Sequence, residues 1–352
     1  KEAVKIFDMV MLADIGNGDE RDNLLASGKI VFGGGDAEKF ESHRFAFRML
    51  QKSVGLPTQK TIECIGVEEL RKHLKVHPNQ FVKVDNRFRA DCESFHAPDY
   101  EFVEQRLNYV EVVFGPYANV IAFVAEDFIE TKVELGLDGL WCHDLIRPSL
   151  YGFELGRSYI GHYAEKLPPF MEEWVEKLKT PLNRRKYQGA MSIEGRVIKP
   201  DKAFIIDMTM RPAYNLSIGY PSWMKNYPQV IWGVATGEPT AIEPIAPYVG
   251  GTPLYCNCDN NFVKWKFPLE LRREGKIKFR ECTKKDGSYW AIKGCHSCAF
   301  LVSWGNSVED VISDLRKLAE KVEADTIDKT RLKDLNDLQD EIKEARSMGI
   351  TF

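Results

Sequence analysis

An α+β chain built in more than one unit is what this sequence predicts, from three stretches. Met191 to Ile198 and Ala203 to Met208 are apolar runs joined by Lys199-Pro200-Asp201-Lys202, whose Pro and Asp supply turn chemistry, so they read as an antiparallel hairpin. From Leu254 onward strands come first and helices after, a segregated order that fits α+β better than an alternating parallel sheet. Val4 to Phe32 reads as strand, helix, strand.

In order, Val4 to Met11 is a strand, Arg21 to Ser27 a short helix closed by Gly28, and Lys29 to Phe32 a second strand ended by Gly33, Gly34 and Gly35. Three glycines after a strand can cradle phosphate, but an acidic segment follows and no Lys-Ser/Thr ending does, so a plain turn is the better reading. Residues 40 to 53 form a helix with Phe40, Phe45 and Met49 at core spacing, and Val67 to Leu74 another with Glu68 and Glu69 near its start. Pro239 to Thr252, with three Pro and two adjacent Gly, reads as the connection to a C-terminal unit. That unit has strands near Leu254 to Cys258, Val263 to Phe267, Ile277 to Glu281, Tyr289 to Ile292 and Ala299 to Trp304. Ser307 then caps a helix with an apolar stripe through Val308, Val311, Ile312, Leu315, Leu318 and Val322. Thr330 to Met348 is a charged amphipathic helix, packed through Leu332, Leu335, Leu338 and Ile342 on the same unit or on a second subunit.

At 352 residues with 44% hydrophobic side chains the chain can bury a sizeable core. A formal charge of −4 with interspersed signs gives no footprint for nucleic acid, and no run of eighteen apolar residues offers a membrane span. The chain begins with Lys and carries no signal-peptide pattern. Eight cysteines at this length fit free thiols in a cytoplasmic compartment. Cys256, Cys258, Cys295 and Cys298, with Cys282 between, are a possible tetrahedral zinc set, although buried small hydrophobes on paired strands are the plainer reading.

Glu194 and Asp207 stand thirteen residues apart, one on each strand of the hairpin. Facing carboxylates repel unless a cation lies between them, and a hard divalent ion is the usual solution. The competing reading is an ordinary hairpin whose acids face water.

The same segment, from Glu194 to Asp207-Met208-Thr209-Met210-Arg211, resembles the metal-binding end of the ATP-grasp ligases, where an acid precedes Glu-x-Asn on the next strand. With its trailing Arg211 it is similar to the phosphoribosylamine–glycine ligase family, except that Thr209 replaces Asn. Upstream and in the same order, Glu41 to Arg48, Val54 to Thr58, Val82-Lys83-Val84-Asp85-Asn86 and the hinge-like strand Ala122 to Glu130 also resemble that family. The resemblance implies an ATP-grasp fold, two α+β subdomains sandwiching ATP. It implies a remnant N-terminal α/β domain over 1–38, whose true start is missing, subdomains over 39–125 and 126–245, and a small α+β domain over 246–352.

For function it implies an ATP-dependent carboxylate–amine ligase working through an acyl phosphate. Lys83 and Arg44 would hold phosphates, and the Glu126, Asp127, Phe128 and Ile129 hinge would read adenine. Glu134 or Asp138 would face the ribose, while Glu194, Asp207 and Thr209 would hold Mg²⁺ or Mn²⁺. Arg211 would stabilise the transferring group, and His143 could act as base for the amine, though a lone His is more often structural.

Two departures limit the likeness. Where the family has a glycine-rich phosphate loop this chain has Arg87 to His96, so Arg87 and Arg89 would hold phosphate by side chain. The family's Gly-rich substrate loop is replaced by His143 to Gly161, which points away from the purine-pathway substrates. Partners are therefore a small carboxylate and an amine, with the chain a monomer or homodimer. The rival readings are a nucleotide-binding protein with weak or no turnover and a zinc-stabilised interaction module.

Overall fold

The computed structural model describes residues 7–85, 93–214, 216–259, 261–294 and 298–352. At the N-terminal end, strands β1 (Met9–Met11) and β2 (Ile30–Phe32) pair in parallel across helix α1 (Gly18–Ala26). The triple glycine is the expected turn. A Cβ on Gly33 would lie 2.7 Å from the Leu12 carbonyl, and one on Gly35 3.1 Å from the Arg21 side chain, so close packing demands glycine there. The backbone amides of Gly16 and Asn17 donate to the Glu38 carboxylate at 2.7 and 3.1 Å.

The helix expected over 40–53 is two helices, α2 (Lys39–Ser42) and α3 (Arg44–Ser53), broken at His43. Its phase also differs from the expectation. Phe40 and Phe47 make the apolar contact, with ring centroids 5.2 Å apart, while Phe45 is half-buried and Met49 exposed. Arg44, Arg48 and Gln51, at helical spacing, are buried instead. Apart from Phe47, the inward face of α3 is polar, and Arg44 and Arg48 on it meet the carboxylates of Glu93 and Glu126.

Among the described residues, β3 (Thr61–Ile65), β4 (Gln80–Val84), β5 (Ser94–Ala97) and β6 (Ala122–Asp127) form an antiparallel four-stranded sheet in the order β3-β6-β4-β5. Helices α4 (Val67–Val76) and α5 (Tyr100–Phe114) cover it, burying Leu70, Leu74, Leu107 and Val110 against Val82 and Phe123. Asp99 caps α5 by accepting from the Phe102 amide at 2.8 Å.

The second sheet is ten-stranded among the described residues. Its first part comprises β7 (Glu134–Cys142), β8 (Asp144–Leu145), β9 (Ser149–Leu155), β10 (Ser158–Ala164), β11 (Gln188–Lys199) and β12 (Lys202–Thr209). Helix α6 (Pro169–Arg184) packs Phe170, Trp174 and Leu178 against one face, where Leu137, Ile193 and Ile205 lie. Helices α7 (Leu216–Trp223) and α8 (Tyr227–Thr236) cover the other with Tyr220, Trp223, Val230 and Val234.

The C-terminal segment adds β13 (Tyr248–Cys256), β14 (Val263–Trp265), α9 (Leu269–Arg273), β15 (Ile277–Arg280), β16 (Cys282–Lys285), β17 (Ser288–Ala291), β18 (Cys298–Gly305), α10 (Val308–Glu320), β19 (Ile327–Asp328) and α11 (Asp334–Ser347). Strand β13 pairs with β10, Gly251 opposite Tyr159, so the large sheet runs across residues 245 and 246 as β12-β11-β7-β9-β10-β13-β18-β15. This corrects the expected connection over 239–252, because Tyr248 to Thr252 are already strand. Gly250 and Gly251 serve close approach there: added Cβ atoms would lie 2.6 Å from Val311 and 2.4 Å from Phe300. The Ser307 cap is present, its hydroxyl accepting from the Asp310 amide at 3.1 Å, and the α10 stripe is buried. Helix α11 turns Leu335, Leu338 and Ile342 into the chain's own core. Among the described residues no helix is long and apolar enough to cross a membrane.

Candidate active site

The hairpin of β11 and β12 sets Glu194 directly opposite Asp207, and the next pair is Gly195 with Ile205. Ile206 is thus an extra residue, a β-bulge, and it reverses which face of β12 each side chain takes. Ala203 and Ile205 point into the core before it, Met208 and Met210 after it. Strict alternation would have sent Asp207 inward with Ile205; the bulge turns it to the same open face as Glu194. The bulge also frees the Ile206 carbonyl, which accepts from both the Lys83 ammonium and the Arg48 guanidinium.

That face opens into a cleft between the two sheets. Lys83 and Phe81 on β4, Glu126 and Asp127 on β6, Phe128 and Ile129 beyond it, Glu134 on β7 and the Glu194/Asp207 pair all line it. Phe81, Ile129 and Ile206 give an apolar wall, and the Lys83 ammonium lies 5.6 Å from the Phe81 ring centroid. The Ile129 carbonyl accepts from Arg196 at 2.8 Å, and Arg196 also pairs with Glu134 at 3.2 Å.

Charge is concentrated and nearly dry here. Burial alone would push the Glu126 carboxyl up, but Arg48 and Lys83 outweigh it and hold the group below its ordinary range. Asp207 behaves alike: burial opposes its charge, yet Lys83, Arg44 and Arg48 together keep it ionised below the usual value. Glu194 goes the other way, driven well above the carboxylate range by burial and then by the Asp207 charge. One proton is therefore retained by the pair, as expected of facing carboxylates with no cation between them. A divalent ion using one or two protein carboxylates plus phosphate oxygens fits this deficit. Among the described residues no group of three or more His, Cys, Asp or Glu could hold a metal, so the protein would supply only part of such an ion's ligands. Thr209 lies two residues beyond Asp207, opposite Ser192, and is half-buried.

Arg44 directs its guanidinium to the Val84 carbonyl at 2.5 Å and to Glu93 at 2.7 Å. Burial disfavours its charge, but Asp207 and Glu93 more than compensate. Arg211 is tied to Glu41 at 2.9 Å and Asp14 at 3.3 Å, and it does not line the cleft. Asp138 faces a second pocket together with Glu134 and Glu194, and is not on the cleft. His143 is exposed at the opposite end of β7, nine residues from Glu134, or about 30 Å along an extended strand. Arg87 and Arg89 lie outside the described residues. Of the cysteines, Cys258 is buried and the Cys256 thiol lies 3.3 Å from the Thr326 hydroxyl. Cys295 is outside the described residues, and Cys298 is described by its backbone alone.

Sequence reasoning missed Arg48, Arg196 and Phe81. Arg48 had a signal, since it stands one helical turn from Arg44, and Phe81 stands two residues before Lys83 on the same strand face. Arg196 stood two residues after Glu194 in the same way.

Two sheets, one small and one extended, with cations of the first facing acids of the second define the ATP-grasp fold, and this is the fold of the chain. Its solved likenesses include phosphoribosylamine–glycine ligase from Thermotoga maritima, with a TM-score of 0.71 at 15% identity over 93% of this chain and 86% of that one. The biotin carboxylase domain of 2-oxoglutarate carboxylase from Hydrogenobacter thermophilus, in complex with MgADP, ADP and bicarbonate, matches at 0.68 and 13% identity, covering 100% of this chain and 85% of that one. L-amino acid ligase from Bacillus licheniformis matches at 0.57 and 17% identity, covering 82% and 73%. No protein-family model matches the sequence, and no curated protein does either.

Proposed function

We propose that the chain is an ATP-dependent ligase that joins a carboxylate to an amine through an acyl phosphate. One observation carries this reading: the Ile206 bulge brings Lys83 to the Glu194/Asp207 pair inside a cleft whose other end is the Glu126 to Ile129 hinge. A nucleotide laid along that cleft would place its base at the hinge, against Phe81 and Ile206, and its phosphates beside Lys83. The Ile129 amide has no partner among the described residues and is offered to the base. Glu134, on both the cleft and the second pocket, faces the sugar.

Glu194 and Asp207 would hold Mg²⁺ or Mn²⁺, which when bound neutralises charge on the transferring phosphoryl group. Lys83 does the same as a point charge. The substrate carboxylate oxygen bonds to the γ-phosphorus as the bond to the ADP oxygen breaks. An amine nitrogen then bonds to the acyl carbon, phosphate leaves, and the nitrogen gives up its proton. Arg211, held by Glu41 and Asp14, fixes the end of β12 in this scheme, and His143 takes no part. The phosphoribosylamine–glycine ligase and L-amino acid ligase likenesses support a carbon–nitrogen ligase, and the MgADP complex supports the cofactor pair.

ADP release measured with ATP, Mg²⁺ and a panel of carboxylates and amines tests this reading. ADP should accumulate over many turnovers only when an acid and an amine are both present, and Glu194→Ala should abolish it. Nucleotide binding with no ADP from any pair, unaltered by Glu194→Ala, sinks the proposal. It would favour the second reading, a nucleotide-binding protein without turnover, which the engagement of Arg44 by Val84 and Glu93 supports.

A further inference from the structure

Helix α5 is apolar on two sides. Val103, Leu107, Val110 and Phe114 recur every three or four residues and are buried against the small sheet. Phe102, Gln105, Tyr109 and Val112 keep the same rhythm on the opposite side. There Phe102 is 72%, Tyr109 52% and Val112 79% exposed. No charge interrupts this second stripe, whereas a helix lying on a sheet ordinarily turns charged residues to water.

The charge of this outer face sits on the neighbouring helix. Helix α4 begins with Glu68 and Glu69 and ends with Lys72 and Lys75, all four exposed. It runs antiparallel to α5: Gly66 at its start abuts Asn119 beyond the end of α5, and Lys75 lies 4.9 Å from the ring of Tyr100, where α5 begins. Arg71, midway along α4, donates to Asn108 at 3.2 Å, close to the middle of the apolar stripe. The acidic half of α4, its basic half and the stripe therefore share one midpoint.

A second copy of the chain fits both patterns. Rotation about a twofold axis lying in this face, through the Arg71 and Asn108 contact and across both helices, sets α5 antiparallel on its copy. Phe102 then stands over Val112 and Gln105 over Tyr109, and the acidic half of α4 stands over the basic half of the copy's α4. A lipid surface fits less well, because exposed Glu101 and Glu104 on α5 would repel anionic headgroups. In plan the two helices cover roughly 400 Å². Side-chain relief brings the accessible area toward the about 600 Å² per partner at which small specific interfaces begin.

We propose that the outer face of α4 and α5 joins two copies of this chain in a reversible dimer, antiparallel along α5. The cleft stays open in it, since Val82 and Val84 of β4 lie beneath these helices while Phe81 and Lys83 face the other way.

Sedimentation velocity of the full chain from about 1 to 100 µM tests this. The parent should pass from monomer to dimer in that range. Val112→Glu, at a position open enough to leave the circular dichroism spectrum unchanged, should weaken association at least tenfold. Mild oxidation of a mixture of Phe102→Cys and Val112→Cys chains should give a disulfide-linked dimer that neither variant gives alone. A parent that stays monomeric throughout overturns the proposal, even if the face binds neutral lipid vesicles or another protein. So does association that Val112→Glu leaves unchanged, or the absence of the mixed link.

Discussion

Glu341→Gln should stabilise the protein in mildly alkaline solution and do nothing in acid. Glu341 lies on α11 and accepts from the backbone amide of Glu134, the first residue of β7, at 2.6 Å. Burial, and then the Glu134 charge, raises its carboxyl from the ordinary 4.5 to about 7. A raised acid favours the protonated fold, so stability is intact below the unfolded value of 4.5 and declines as pH rises through the folded value of about 7. Each unit of displacement is worth about 1.4 kcal/mol, so keeping the anion folded costs at most about 3.5 kcal/mol. Glutamine retains the acceptor oxygen for the Glu134 amide and removes the charge. With the unfolding entropy expected of a chain this long, the gain amounts to at most about 5 °C in Tm. Thermal melts of both proteins at pH 4 and pH 8, monitored by circular dichroism, measure it. The variant should melt with the parent at pH 4, below the unfolded value, and higher at pH 8. Equal differences at the two pH values, or a less stable variant at pH 8, would refute the linkage.

Arg48→Met strands the buried Glu126 charge and should cost about 3–5 kcal/mol in urea unfolding, most of it recovered by adding Glu126→Gln; a loss below about 1 kcal/mol counts against the pairing. Glu194→Gln should raise the Tm of the metal-free protein at pH 8 but not at pH 4, because Glu194 is held protonated above its usual range. The same substitution should remove the Mg²⁺-dependent part of nucleotide affinity, and an affinity unchanged by it argues against metal at the pair. Ser307→Ala deletes the α10 cap and should lower stability by about 1 kcal/mol, read from the urea midpoint at constant slope. Gly195→Ala puts a methyl carbon 2.2 Å from the Trp174 ring and should cost about 1–3 kcal/mol, with no effect expected only if α6 can withdraw.

Much of the site was legible because it is local. The Lys199 to Lys202 turn fixes the hairpin, period-two alternation puts Glu194 and Arg196 on one face, and Ser307 announces its helix. What the sequence concealed depends on distance or on register. Nothing in Ala203 to Met208 marks Ile206 as the bulged residue, since a run of apolar side chains alternates equally well in either phase. The polar face of α3 was misphased because Phe45 and Met49 are hydrophobic by type, whereas the buried side is chosen by Glu126 and Asp207, which are remote in sequence. Arg211 could be seen, but not its neutralisation by Asp14 and Glu41, which come from separate N-terminal segments. Gly250 and Gly251 looked like a linker because glycine serves turns and tight packing alike.

The four-stranded sheet is made entirely within residues 61–127, and the strands at its two ends are neighbours: Thr61 pairs with Glu126, and the Asp127 amide donates to the Lys60 carbonyl. With a hydrophobic cluster of its own beneath α4 and α5, this portion is a cassette whose entry and exit share one seam. A door mounted on a single post swings about that post, so the cleft should open by rotation at residues 57–60 and 128–133, without unravelling either sheet. The latch then includes the polar contacts that cross from the cassette to the rest: Lys83 on the Ile206 carbonyl, Arg48 on Glu126, Arg44 on the Val84 carbonyl and Glu93, and Asp85 accepting from the Phe45 amide.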